Sequence, residues 1–152
     1  DVASWTRTPK EMPGVIGYHG ADGLDDFLAR TEILIALMPL TDNTRGILNA
    51  SLFAKLPKGA GLINAGRGGL QIEADIIAAL DSGQLSEAVL DVFSTEPLPT
   101  DNPLWTHPKV TITPHNAALT GSATGAREVA ANLKRVLAGA QPHNIVNPNA
   151  GY

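Results

Sequence analysis

Residues 33–39 read ILIALMP, a continuous apolar run of strand length that a proline ends. A strand buried on both faces of a parallel sheet has this pattern because neither face meets water. Similar apolar runs recur along the chain, and helix-like segments separate several of them. We predict five further strands, at Val2–Trp5, Val15–Tyr18, Leu62–Ala65, Ala88–Phe93 and Val110–Thr113.

The clearest helix is predicted over residues 71–82. Four apolar residues share one face of this helix, namely Ile72, Ile76, Ala79 and Leu80. Gly83 follows it, at the position expected for a C-terminal cap. Other helices are expected with these N-caps: Asp22 for Leu24–Arg30, Asn49 or Ser51 for a short helix through Lys55, and Thr120 or Ser122 for a final helix to about Leu137. Alternating strands and helices predict an α/β fold with a Rossmann-like, doubly wound parallel sheet, incomplete here.

The composition of the chain excludes several classes of function. The 152 residues suit one domain, and with 43% hydrophobic and 17% charged residues the chain should be compact. A net charge of −4 disfavours nucleic acid or an anionic membrane as partner. No apolar stretch approaches the ~18 residues of a membrane span. Because there is no cysteine and no secretory leader, we expect no thiolate chemistry and a cytoplasmic location.

Polar residues follow three predicted strands, and ligands of such sheets bind beyond the strand carboxyl ends. Arg67 lies between two glycines, where its guanidinium can fork onto a carboxylate. His115 follows Pro114, a position suited to a proton donor, and Glu96 can orient its imidazole. Each has a plain alternative: a surface turn for Arg67, a solvated loop for Glu96, and a structural or exposed histidine for His115. Their joint placement favours proton transfer to the carbonyl of an anionic substrate.

Three motifs in order resemble the catalytic half of the D-2-hydroxyacid dehydrogenase family. They are NAGRG at 64–68, LDVF followed by EPL at 90–98, and TPHNAA at 113–118. The segments MPLT at 38–41 and PLW at 103–105 also match, and the glyoxylate/hydroxypyruvate reductase subgroup is the most similar, including the final Gly151-Tyr152. The resemblance covers essentially the whole chain. It implies reduction of a small 2-oxoacid by NAD(P)H and, typically, a homodimer.

The resemblance also implies residue roles. Arg67 would hold the substrate carboxylate, His115 would protonate the carbonyl oxygen, and Glu96 would be the partner of His115. Trp105 would shape the substrate pocket, although a core or interface tryptophan is an equal alternative. Residues expected around the cofactor are Met38, Pro39, Leu40, Thr44, Ala65, Gly66, Asp91 and His115. No metal site is expected.

The amino-terminal stretch bears on the choice of cofactor. An acid after the second strand of a dinucleotide fold holds the ribose 2′-hydroxyl, whereas arginine accommodates a 2′-phosphate. Here Thr6, Arg7 and Thr8 follow the first predicted strand, and no acid occurs until Glu11. This pattern favours NADP as the cofactor, with NAD as the weaker alternative. The alternative without a cofactor role is that the segment is a solvated basic turn.

Two parts of such an enzyme are missing from the sequence. The Gly-x-Gly-x-x-Gly loop that cradles pyrophosphate is absent, and so is the amino-terminal substrate lobe of the family. We therefore expect residues 1–118 to be a partial NAD(P)-binding domain and residues 119–152 a helix and tail that pack toward the missing lobe. The piece alone should be inactive. The rival interpretation is a non-catalytic NAD(P) sensor resembling dehydrogenase-like corepressors.

Overall fold

The computed structural model describes residues 1–118 and 121–147, and their strands form two parallel sheets. The first pairs β1 (Val2–Thr6) with β2 (Val15–His19). The second has four strands in sequence order, β3 (Ile33–Ala36), β4 (Ala60–Asn64), β5 (Leu85–Leu90) and β6 (Val110–Ile112). The α/β class with parallel pairing is confirmed. The strands lie in two separate sets, because no strand in the described ranges joins them.

Four helices accompany the strands: α1 (Leu24–Ala29), α2 (Ala50–Phe53), α3 (Glu73–Asp81) and α4 (Ser122–Leu137). Asn49 caps α2, since its Oδ1 accepts from the backbone N–H of Leu52 at 3.1 Å. The predicted Asp22 cap is wrong: Gly23 is the N-cap of α1 and no side chain bonds there. Gly121 precedes α4 without a side-chain cap, Ser122 is the first helical residue, and Thr120 lies outside the described residues.

The predicted burial of both faces of the run at 33–38 is wrong. β3 ends at Ala36, and its side chains alternate between buried and exposed. Leu34 is 7% exposed, whereas Ile33 is 62% and Ile35 is 54% exposed. The described residues cover only one face of this edge strand.

The buried face of the second sheet forms the core, together with α2 and α3. Leu62, Ala88 and Leu90 line this face, and Ile76 and Leu80 of α3 are fully buried. Ile72, predicted on the buried face, is instead the extended N-cap residue of α3 and 41% exposed. At Gly83 the chain turns with φ +73°, as expected for a helix C-terminus.

The strand register sets where the polar residues meet. Asn64 of β4 is the partner of Leu90 in β5, which is in turn the partner of Ile112 in β6. β5 ends at Leu90, so residues 91–93, predicted as strand, begin the following loop. The segments after the three strands therefore start side by side at one sheet edge.

Candidate active site

Glu96 and His115 form a hydrogen-bonded pair at this edge. Oε2 of Glu96 lies 2.8 Å from Nδ1 of His115. Its other oxygen, Oε1, accepts from the backbone N–H of Phe93 at 2.9 Å. A carboxylate at Nδ1 places the proton of a neutral imidazole on that nitrogen and turns Nε2 outward. The pair therefore presents one ring nitrogen for proton exchange.

The contacts of Glu96 also set its ionisation. The hydrogen bond with His115, followed by that from Phe93, lowers the pKa of Glu96 below its ordinary value, and partial burial opposes this only in part. Glu96 is therefore a carboxylate at neutral pH.

Asp91 holds the turn that carries His115. It is 4% exposed and accepts from the Thr113 hydroxyl at 2.5 Å and from the backbone N–H groups of Asn116 and Ala117, each at 3.0 Å. His115 itself has φ +52°, in the left-handed region that side chains seldom occupy. The carboxylate of Asp91 thus stabilises an unfavourable backbone conformation at His115.

Burial alone would raise the pKa of Asp91. The hydrogen bonds from Thr113, Ala117 and Asn116, with the charge of His115, outweigh this and leave the pKa below its ordinary value. Asp91 is thus an ionised, buried anchor whose two oxygens both serve the His115 turn.

Arg67 lies exposed on the loop after β4, just before a 3₁₀ turn at Gly68–Leu70. Its Nη1 donates to the Gly66 carbonyl at 2.7 Å. We expected the flanking glycines to admit a ligand, but Gly68 admits protein backbone: a Cβ there would stand 1.8 Å from the Phe93 carbonyl oxygen. The Arg67 loop is therefore packed against the loop that leads to Glu96.

The sequence analysis missed a buried amide pair beneath this loop. Asn64 is 0% and Gln71 2% exposed, and Nδ2 of Asn64 donates to Oε1 of Gln71 at 2.8 Å. The signal was available: Asn64 ends an apolar strand, and Gln71 interrupts the apolar residues Leu70 and Ile72. Thr113 was likewise assigned to a strand, and its bond to Asp91 was not anticipated.

Four of the residues expected near the cofactor lie in the loop after β3: Met38, Pro39, Leu40 and Thr44. The hydroxyl of Thr44 donates to the Pro39 carbonyl at 2.7 Å and accepts from the Thr41 N–H at 2.8 Å. Met38 and Leu40 are half-buried and Pro39 is exposed. The Ala65 N–H bonds to the carbonyl of Ala36 at 3.2 Å, which links this loop to β4.

The predicted 2′-phosphate residues lie elsewhere: Thr6 is the last residue of β1, and Arg7 and Thr8 follow it directly. The hydroxyl of Thr6 donates to the Thr8 carbonyl at 2.8 Å, and both Arg7 and Thr8 are exposed. A surface cleft of about 340 Å³ adjoins this segment, and its lining includes Pro9, Lys10 and His19. Arg67, Glu96 and His115 do not line it, so the described residues offer two separate polar regions.

Trp105 is 51% exposed, and its indole N–H donates to the Pro99 carbonyl at 2.9 Å. Its ring is therefore held by the loop between β5 and β6 while half of its surface faces outward. In residues 1–118 and 121–147 there is no cluster of three or more metal-ligating side chains. None of the helices described there is both long and apolar enough to cross a membrane.

Parallel strands with polar residues gathered at their carboxyl edge define a Rossmann-like α/β protein. The family model described as "D-isomer specific 2-hydroxyacid dehydrogenase, NAD binding domain" matches residues 1–117, and the chain belongs to this family.

Curated relatives include the glyoxylate/hydroxypyruvate reductase A proteins of Serratia proteamaculans and Yersinia enterocolitica. The first is 47% identical over 100% of this chain and 49% of the relative, and the second 45% identical over 99% and 48%. The chain thus spans about half the length of the curated relatives it matches.

Solved structures show the same likeness. A D-isomer specific 2-hydroxyacid dehydrogenase from Xanthobacter autotrophicus Py2, in complex with NADPH and MES, is 47% identical with a TM-score of 0.97, covering 100% of this chain and 63% of that one. An NADPH-dependent glyoxylate/hydroxypyruvate reductase from Sinorhizobium meliloti, in complex with NADP and sulfate, is 45% identical with a TM-score of 0.94, covering 99% and 49%.

Proposed function

We propose that the full-length parent of this chain reduces a small 2-oxoacid, glyoxylate or hydroxypyruvate, to the 2-hydroxyacid with NADPH. The observation that carries the proposal is the Glu96–His115 pair, 2.8 Å apart, on a sheet edge that Arg67 shares. Relatives named glyoxylate/hydroxypyruvate reductase at 45% and 47% identity support the choice of substrate class.

In this proposal the three side chains divide the work. The guanidinium of Arg67 binds the substrate carboxylate through two parallel hydrogen bonds and leaves the 2-oxo group beside His115. His115 donates its Nε2 proton to the carbonyl oxygen as negative charge develops there. Glu96 holds Nδ1 of the ring and so keeps Nε2 oriented throughout the transfer. The nicotinamide cofactor, when bound, supplies the hydride that the carbonyl carbon accepts.

The residues after β1 fit a cofactor with a 2′-phosphate. Arg7 and Thr8 are exposed, and Lys10 lines the adjoining cleft. The segment 5–10 carries two cations and no acid, so its charge complements a phosphate better than a ribose hydroxyl. We therefore propose NADP as the preferred cofactor, with Thr6, Arg7 and Thr8 at its adenosine end and NAD as a weaker alternative.

At the nicotinamide end we propose the loop after β3 and the start of the Arg67 loop. The residues concerned are Met38, Pro39, Leu40, Thr44, Ala65, Gly66, Asp91 and His115. For Asp91 the structure adds a constraint, because both of its oxygens already accept bonds from the His115 turn. Trp105, with half its surface exposed, is proposed to close one side of the substrate pocket.

The domain division is also a proposal. Residues 1–118 would form part of the NAD(P)-binding domain, and residues 119–152 would pack toward the substrate lobe of the full-length protein. Exposed apolar side chains on α4 support this, including Val129 at 69% and Leu133 at 57% exposure. Such a helix face is stable when another element covers it. We propose that the parent is a cytoplasmic homodimer and that this piece alone is inactive.

The test is NADPH oxidation by the full-length protein with a panel of 2-oxoacids, and with NADH in parallel. We expect turnover with glyoxylate and hydroxypyruvate, preference for NADPH, and none with this 152-residue chain alone. NADPH binding without turnover of any 2-oxoacid would instead favour the sensor interpretation and refute the reductase.

A further inference from the structure

The buried amides of Asn64 and Gln71 connect the Arg67 loop to the strand end that leads to Glu96. Asn64 brackets the turn before the arginine: its Oδ1 accepts from the Gly66 N–H at 3.1 Å and its Nδ2 donates to the Arg67 carbonyl at 3.3 Å. The same Nδ2 donates to Oε1 of Gln71 at 2.8 Å. Asn64 thus fixes the backbone on both sides of Gly66.

Gln71 continues the connection to the loop after β5. Its Nε2 donates to the Val92 carbonyl at 3.1 Å, and Val92 is one residue before Phe93, whose N–H binds Glu96. The two amides are almost fully buried, so water cannot replace a lost bond cheaply. A continuous series of hydrogen bonds therefore runs from the Arg67 turn through Asn64 and Gln71 to the loop of Glu96 and His115.

Close packing supports the same connection. Gly68 lies against the Phe93 carbonyl so closely that no Cβ fits, since a Cβ there would stand 1.8 Å from the carbonyl oxygen. The hydrogen bonds and this packing act on the same two loops. A shift of the Val92–Phe93 backbone must therefore move the Arg67 loop, and the reverse also holds.

We infer that Asn64 and Gln71 are positioning residues that set the anion-binding Arg67 at a fixed separation from the Glu96–His115 pair. This inference rests on the proposed function, in which Arg67 and His115 grip one substrate molecule. Neither amide touches substrate in it. They act through the loops, and Gln71 is the coupling element because its side chain contacts both the Asn64 side chain and the Val92 carbonyl in the loop after β5.

The decisive variant is Gln71→Met in the full-length protein. Methionine has about the length and volume of glutamine but cannot form the hydrogen bonds to Asn64 and Val92. Gln84→Met is the matched control, because Gln84 also holds backbone carbonyls, those of Phe53 and Leu56 at 2.8 and 3.1 Å, near α2. If Gln71→Met does not fold, Gln71→Asn replaces it. Asparagine keeps the amide but is one methylene shorter, so it cannot span Asn64 and Val92 together.

We expect Gln71→Met to raise the KM for glyoxylate about tenfold, equivalent to about 1.4 kcal/mol, with NADPH binding changed less than about twofold. A purely structural role would lower the active fraction, and so kcat, without raising that KM. Gln84→Met should leave the KM unchanged.

Amide hydrogen exchange gives a readout that needs no turnover. In Gln71→Met, protection should fall in both the 64–71 and 91–96 segments and stay unchanged at 53–56. Unchanged KM, or loss of protection confined to 64–71, would overturn the inference. Absence of glyoxylate turnover in the wild type would instead refute the proposed function, and the exchange pattern would still decide whether Gln71 couples the two loops.

Discussion

One carboxylate oxygen of Glu96 is hydrogen-bonded to His115, and the other is hydrogen-bonded to the backbone of the loop that carries Glu96. Oε2 lies 2.8 Å from Nδ1 of His115, and Oε1 accepts from the N–H of Phe93 three residues earlier. The orientation of the imidazole is thereby tied to the backbone that leaves β5. Since Phe93 also contacts the Arg67 loop at Gly68, one short segment touches both halves of the candidate site.

The first prediction concerns acid stability. Because the pKa of Glu96 lies below its ordinary 4.5 in the fold, this residue contributes stability that is complete above 4.5 and is lost as pH falls through the lower folded value. Glu96→Gln should therefore flatten the loss of stability below about pH 4.5. Urea unfolding of the full-length protein from pH 7 to 3 measures it. An unchanged slope would show that the His115 bond is absent in solution.

Replacement of the proton donor should stop chemistry but not binding. His115→Gln in the full-length protein is expected to lower kcat with glyoxylate by about 10²–10⁴, the range of a positioned acid. NADPH affinity should stay close to that of wild type. His107→Gln is the control, because His107 also faces a carboxylate, Asp81 at 3.3 Å, away from the sheet edge. Equal effects of the two changes would remove His115 from the mechanism.

Arg67→Lys tests whether the substrate carboxylate is bound by two parallel hydrogen bonds from the guanidinium. Lysine keeps the positive charge but cannot give two parallel hydrogen bonds to a carboxylate. We expect kcat/KM for glyoxylate to fall by about tenfold or more, since each charge-assisted bond contributes roughly 1.5–3 kcal/mol. Arg30→Lys is the control and should be neutral, because Arg30 is the C-cap residue of α1 and pairs with Asp1 at the surface, where lysine keeps the charge. Wild-type kinetics for Arg67→Lys would mean that Arg67 is a surface turn residue.

Replacement by alanine should change the stability of the fold differently at two glycines. A Cβ on Gly68 would overlap the Phe93 carbonyl at 1.8 Å, so Gly68→Ala should destabilise by about 1–3 kcal/mol or more. At Gly61 in β4 the nearest atoms to a Cβ are at 3.8 and 3.9 Å on Ile33, an ordinary contact. Gly61→Ala should therefore be neutral or stabilise by about 0.4–1 kcal/mol. Thermal unfolding compares them, and equal losses would contradict the packing of Gly68 on Phe93.

Periodicity predicted the strands and helices well because their apolar residues face one core. Periodicity predicted burial of Ile33 and Ile35 wrongly, because a run of apolar residues does not show whether other parts of the chain pack against both faces of a strand. The placement of Arg67, Glu96 and His115 beyond the strand ends could be predicted because parallel strands bring their carboxyl ends to one edge. The sequence carries a signal for the burial of Asn64 and Gln71 but none for their pairing, because the two amides meet only through the three-dimensional course of the Arg67 loop.

The last prediction concerns the choice of cofactor. Arg7 is exposed at the end of β1, between the hydroxyl residues Thr6 and Thr8, where a 2′-phosphate would meet a cation. Each charge-assisted hydrogen bond contributes roughly 1.5–3 kcal/mol, and 1.4 kcal/mol corresponds to about tenfold in affinity. Arg7→Ala should therefore weaken NADPH binding to the full-length protein by about ten- to a hundredfold.

NADH serves as the internal control because it has no 2′-phosphate, so its affinity should stay nearly constant. Exposure of Arg7 places the effect toward the lower end of that range and makes it sensitive to salt, since the Debye length shortens to about 8 Å at 0.15 M ionic strength. Fluorescence titration of both cofactors at low and physiological salt measures both dependences. If NADH and NADPH weaken equally, or if the wild type prefers NADH, Arg7 does not recognise the phosphate.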